Sequence, residues 1–215
     1  MICDTEFQND LEIVAYHEAG HAVVDRLLGI PLWYILMIYS EQAGKWAGQA
    51  IKGDPQFDTL WSRFNLDDDI PCADFVFHYP NYPDPYEEYK LVRGLCVIDY
   101  AGIMVEDLLY KLRGINKESD LLDENAVDIE KATQRIKQKF PPDVWEEELN
   151  NAKAHARLIV SHPVCWNMIE NLALDVLSYI AQHPEPEEKI ASYSRWYFPV
   201  VKIYSSFQQT LKQRG

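Results

Sequence analysis

Leu11-Glu12-Ile13-Val14-Ala15-Tyr16-His17-Glu18-Ala19-Gly20-His21-Ala22-Val23-Val24-Asp25-Arg26-Leu27-Leu28 is the stretch on which the reading of this protein turns. Ile13, Val14, Tyr16, Ala19, Val23, Val24, Leu27 and Leu28 recur at helical spacing and predict one amphipathic helix. Asn9 or Asp10 can cap its start, and Gly29-Ile30-Pro31 ends it. Within it, His17 and His21 lie four residues apart, so one helix face can offer both imidazoles to a single metal ion. Glu18 stands beside that position, where it can take a proton from a water molecule. This is the His-Glu-x-x-His spacing of zinc hydrolases. The bland alternative is two histidines packed on a partly buried helix. Burying two imidazoles and a carboxylate on one face without a ligand is costly.

A catalytic zinc usually takes three protein ligands and keeps one position for water. The acidic residues downstream offer many candidates for the third: Glu106, Asp107, Asp120, Asp123, Glu124, Asp128, Glu130 and Glu170. Spacing alone does not choose among them. The His-x-x-Gly-x-x-His continuation of the metzincins is absent, and the next histidine after His21 is His78.

The protein has 215 residues, a formal charge of -14 and 47% hydrophobic residues. That length and apolar content suffice for a sizeable core in one domain. The acid excess argues against nucleic acid as a partner and against an anionic membrane surface. Four cysteines occur, at 3, 72, 96 and 165, with no Cys-x-x-Cys pair. Cys96 and Cys165 lie in apolar helical contexts and read as buried thiols. Neither a signal peptide nor a membrane-spanning run is visible, so a reduced, cytoplasmic setting is expected.

Leu32 to Tyr39 is short, β-branched and aromatic and reads as a buried strand, with Trp46 to Lys52 as partner across the turn Glu41 to Lys45. Gly53 to Glu88, with five prolines and the run Asp67-Asp68-Asp69, reads as an irregular insertion. Helices are predicted over Tyr89–Arg113, Glu124–Phe140, Asp143–Val160 and Pro163–Gln182. The tail Glu187 to Lys212 is expected to be helical as well, kinked or split at Pro199. Its aromatics Tyr193, Trp196, Tyr197 and Phe198 fit either packed core or an interface. The expected architecture is mainly α, with a small β-sheet near the N-terminus, an insertion at about 53–88 and a helical C-terminal region at about 143–215.

Ala15-Tyr16-His17-Glu18-Ala19-Gly20-His21-Ala22-Val23-Val24 resembles the zinc helix of the FtsH-type metalloprotease peptidase domain. Other segments follow in the family's order. Ile35 to Ser40 with Gly48 resembles its strand pair, and Ala101-Gly102-x-x-x-Glu106 its small-residue helix segment. Val127-Asp128-Ile129-Glu130-Lys131-Ala132-Thr133 resembles its Asn-Asp-Leu-x-x-Ala-Thr element, and Ala152 to Leu177 its late helices. The resemblance implies a single peptidase domain over residues 1–215, with Zn2+ held by His17, His21 and Asp128 and with Glu18 as general base. Ala132, one turn beyond Asp128, would leave room for close approach to the zinc helix. The sequence departs from the family in several places. It contains no Gly-x-x-x-x-Gly-Lys-Ser/Thr and no membrane anchor, and the insertion stretches the distance from His21 to Asp128. Val127 replaces an Asn. Asp25 stands where a small or apolar residue is usual, as a partner for His21 or simply a polar helix position.

The activity implied is hydrolysis of peptide bonds in peptides or unfolded segments, ATP-independent by itself. Substrates could also be delivered by a separate unfoldase or adaptor, and a homo-oligomer is compatible with the family. One of the two strands can present its edge to an extended peptide. The rival reading is a non-catalytic zinc-containing module that binds peptides or partner subunits, and a third is a zinc hydrolase of another amide or ester.

Overall fold

The computed structural model describes residues 4–28, 30, 32–52, 87–115 and 126–199. The element order is α1 (Asp4–Leu27), β1 (Leu32–Ser40), β2 (Lys45–Lys52), α2 (Glu87–Leu112), α3 (Ala126–Lys139), a 3-10 turn (Pro142–Val144), α4 (Trp145–Ser161), α5 (Pro163–Gln182), β3 (Glu188–Ile190) and β4 (Tyr193–Pro199). The protein is thus mainly helical with one small antiparallel sheet. Most of the insertion at 53–88 lies outside the described residues, as do Asp120, Asp123 and Glu124; Glu87 and Glu88 belong to the first turn of α2.

The helix that carries the histidines is longer and more deeply buried than its apolar stripe implies. It begins at Asp4, so Asn9 and Asp10 are not its cap. Asp10 instead accepts the Trp46 backbone N–H at 2.7 Å and ties the start of β2 to the helix. From Ala15 to Leu28 every residue is buried. The cause is position: α1 packs on α2 and α5 and against β2. With elements on several sides, Ala15, Ala19 and Ala22 are as enclosed as Val23 and Val24. Small side chains permit that approach, and a Cβ on Gly20 would meet Val105 of α2 at 2.7 Å.

The sheet order is β2-β1-β4-β3. β1 and β2 form a hairpin in which Ser40 faces Lys45, and Gly44, at φ 64°, supplies the left-handed turn residue. β4 pairs with the other side of β1, placing Phe198 opposite Ile35 and Trp196 opposite Met37. Residues 193–199 are therefore a strand, which corrects the helical expectation for 187–212; the part beyond Pro199 lies outside the described residues. Ser194, Trp196 and Phe198 point inward and are buried, whereas Tyr193 is exposed. Burial of side chains such as Ile35, Met37 and Phe198 contributes about 1.5–3 kcal/mol each, and it anchors the sheet against the helices. Cys96 and Cys165 are buried thiols outside any disulfide, as expected. Among the described residues, no helix is long and apolar enough to cross a membrane.

Candidate metal centre

Three side chains from two helices converge at one point. His17 and His21 come from the middle of α1, and Asp128 comes from the first turn of α3. Nε2 of His17 lies 2.8 Å from Nε2 of His21 and 3.2 Å from Oδ2 of Asp128. Nε2 of His21 lies 3.5 Å from the same carboxylate oxygen. Among the described residues, the acidic side chain that joins the two rings in a group able to hold a metal ion is Asp128.

The outer nitrogen of each ring is committed elsewhere. Nδ1–H of His21 donates to the backbone carbonyl of Ile98 at 2.7 Å. Nδ1–H of His17 donates to the carboxylate of Glu106 at 2.5 Å. An imidazole that donates through Nδ1 presents a lone pair at Nε2 when neutral. With both rings neutral, two such lone pairs and a carboxylate oxygen face one another, three acceptors with no donor among them. A cation has to sit between them, either a proton or a metal ion. The electrostatics agree. Burial opposes a charge on His17, but the hydrogen bonds to Asp128 and Glu106 outweigh it and push the ring up to about 10. Burial likewise opposes a charge on Asp128, yet the two histidines hold its carboxyl well below the usual carboxylate range. The group is built to hold positive charge.

Glu106 is thus not a ligand. It fixes the ring of His17 from behind, as carboxylates do around metal-bound histidines, where they orient the ring and raise its basicity. The remaining candidates among the described residues go elsewhere. Asp107 pairs with Lys111 at 2.7 Å and Arg157 at 3.5 Å, Glu130 accepts from Gln134 at 3.0 Å, and Glu170 lies on α5 near Tyr16. Asp25 does not hold His21, whose Nδ1 is already used. It is fully buried and makes an ion contact with Lys52 at 3.4 Å. The Ala132 carbonyl accepts from the Cys96 thiol at 3.6 Å, one of the contacts by which α3 packs on α2.

Two glycines make the geometry possible. A Cβ on Gly102 of α2 would overlap the ring of His17, so glycine at this position lets α2 lie flat against the ligand. Gly48 of β2 does the same for Glu18, whose Cδ would be 2.9 Å from an added Cβ. Glu18 is buried, and its carboxylate lines the same cleft as the three ligands. Among the described residues this cleft has a volume of about 950 Å³, with α1 as its floor and β2 along one wall.

No protein-family model, curated protein or solved structure matches this sequence. The reading of the site therefore rests on its own chemistry. A buried three-acceptor group next to a carboxylate and an open cleft can bind a divalent ion, bring water and a carbonyl to it, and take up a proton.

Proposed function

We propose that this protein is a zinc metallopeptidase of the FtsH type, hydrolysing peptide bonds in peptides and unfolded segments. One observation carries the reading: one ligand atom each of His17, His21 and Asp128 converge within 4.8 Å of one another, and Glu18 lines the same cleft. Four-coordinate zinc with ligand bonds of about 2.0 Å sets its ligand atoms roughly 3.3 Å apart. The separations here of 2.8, 3.2 and 3.5 Å bracket that figure. Two imidazoles and one carboxylate are also a donor set that zinc hydrolases use. His17, His21 and Asp128 would hold the ion. When bound, zinc supplies a Lewis acid that acidifies water and polarises a carbonyl.

The protein's own groups account for the remaining steps. Glu18 accepts the proton of the attacking water and delivers it to the leaving amine. Glu106 and the Ile98 carbonyl keep both rings in the metal-binding tautomer and orientation. β2 stands at the end of the sheet, so its outer edge is free of strand pairing among the described residues. An extended substrate can add there through main-chain hydrogen bonds, which read backbone more than side groups. Gly48 brings that edge against Glu18 with no bulk in the way.

The test is hydrolysis of casein by the zinc-loaded protein and by Glu18→Gln. The variant is expected to keep its zinc and lose about 10²–10⁴-fold in kcat, the usual worth of a general base. Equal cleavage by both proteins would refute the role of Glu18. Zinc binding without cleavage by either would favour a binding module.

A further inference from the structure

The cleft continues past the metal centre and has two unlike ends. α1 and β2 run in the same direction along it: Asp10 meets Trp46, Glu18 meets Gly48, and Asp25 meets Lys52. The Asp10 end is lined by Ile13, Val14, Tyr110 and Val127. The Asp25 end is lined by charge, namely Asp25, Lys52, Asp99 and Arg135, with Lys131 beside Asp128.

These charges are layered. The side chains of Asp25 and Asp99 are 0% and 7% exposed, whereas those of Lys52 and Arg135 are each 34% exposed. Lys131 is more exposed still and is held by Asp128 at 2.8 Å. Each cation on the cleft surface is thus anchored by a carboxylate beneath it. Arg135 binds Asp99 through Nε at 2.8 Å, and Arg135 also lines the cleft. Among the described residues, neither oxygen of Asp25 has a hydrogen bond, and its one ion contact is the 3.4 Å approach of Lys52. A buried carboxylate with so loose a partner costs stability, and what it does here is hold the Lys52 ammonium at the cleft surface. The charged groups exposed on the cleft surface here are the Lys52 ammonium and the Arg135 guanidinium, which only donate hydrogen bonds, whereas Asp25 and Asp99 lie buried beneath them. What docks must therefore accept, and against charged donors the strongest acceptor that a peptide offers is a carboxylate.

We propose that the Asp25 end of the cleft is a carboxylate subsite. It selects substrates that carry an Asp or Glu residue, or a free terminal carboxylate, on that side of the scissile bond. This deepens the peptidase reading and rests on it. The surface cations oppose the protein's overall charge of -14, so the preference is a short-range one. It survives physiological salt, where fields beyond about 8 Å are screened.

The experiment has two arms. In the first, the zinc-loaded protein digests a random peptide library whose C-termini are free or amidated, and cleavage sites are read by mass spectrometry. Asp and Glu are expected to be enriched at one fixed position on one side of the cut. Enrichment that vanishes on amidation assigns the terminal carboxylate, and enrichment that persists assigns the Asp or Glu residue. Lys52→Gln and Arg135→Gln should each erase most of the enrichment, and Arg135→Lys should restore it. Cleavage without acidic enrichment, or enrichment unchanged in both glutamine variants, overturns the subsite. The second arm separates it from the peptidase reading. Labelled acidic peptides and their amide counterparts are titrated into zinc-loaded Glu18→Gln by fluorescence anisotropy. Acidic peptides should bind about tenfold more tightly, the worth of one charge-assisted hydrogen bond. That result stands even if the wild type cleaves nothing, whereas equal binding overturns the subsite.

Discussion

Replacing Gly102 with alanine should weaken metal binding without substituting any of the three proposed ligands. The added Cβ would stand 2.5 and 2.6 Å from Cε1 and Cδ2 of His17, whereas ordinary contact begins near 3.4 Å. The separation must therefore open by about 1 Å, roughly five times the 0.2 Å by which a metal–ligand distance departs from ideal. The ring has little room to yield. Its Nδ1 is held by Glu106 at 2.5 Å, and its centroid lies 4.6 Å from that of His21. α2 cannot back away cheaply either, because it packs along α1 through Gly20 and Val105. Overpacking of this kind costs about 1–3 kcal/mol of fold stability. Zinc affinity should fall by about 100-fold or more, the upper end for disturbed ligand positioning, which is about 3 kcal/mol. The assay is competition with a chromophoric chelator, with far-UV circular dichroism to confirm the helices. A folded Gly102→Ala protein that binds zinc within about threefold of wild type would refute the stated position of His17 and the reason for glycine at 102.

Gly48→Ala tests the base separately from the metal. Its Cβ would stand 2.8 Å from Oε1 of Glu18 and would not meet a ligand, so kcat should fall by about a hundredfold with zinc content unchanged; loss of zinc would count against the assignment. Asp25→Asn tests the cost of the buried carboxylate. Burial, offset only in part by Lys52 and His21, pushes Asp25 from 3.8 up to about 6. The folded protein thus holds a proton that the unfolded one releases, so this stability is complete below about pH 4 and lost as pH rises through about 6. At pH 7.5 the penalty is of the order of 3 kcal/mol. In chelator, Asp25→Asn should be more stable than wild type by that order, with the gap closing below about pH 4; a gap in urea stability independent of pH would refute it.

The two histidines of α1 were legible as a candidate pair because they lie one helical turn apart on a single element. The third was not legible from spacing, since Asp128 lies 111 positions from His17 and reaches it only through the packing of α3 on α2. For the same reason spacing could not separate a ligand from a residue that steadies one. Glu106 and Asp128 are both carboxylates on helices, and only the fold puts one at Nδ1 and the other at Nε2. The start of α1 was hidden because residues 4–10 carry no apolar stripe. The last strand, in contrast, left a signal. Ser194, Trp196 and Phe198 alternate with Tyr193, Arg195 and Tyr197, which is the period of a half-buried strand. A helical reading of 187–212 overlooks that alternation and the aromatic content that favours strands.

The polar residues of α1 are each answered by a different element. His17 is held by Glu106 of α2 and faces Asp128 of α3, His21 donates to Ile98 of α2, Glu18 packs on Gly48 of β2, and Asp25 pairs with Lys52 at the end of β2. None of these partners exists until the tertiary fold has formed. In isolation the pentapeptide His17 to His21 has two ligands, no fixed tautomers and no positioned base. Each of these groups is also too polar to bury alone. The fold therefore depends on the site as much as the site depends on the fold. A cation between the three acceptors relieves a repulsion that would otherwise sit in the middle of the molecule. It also joins α3 to α1, two helices that otherwise meet mainly through α2. If the site takes a metal ion as proposed, its binding is in part folding energy, and a change in zinc affinity would then report on the packing of α1, α2 and α3 together.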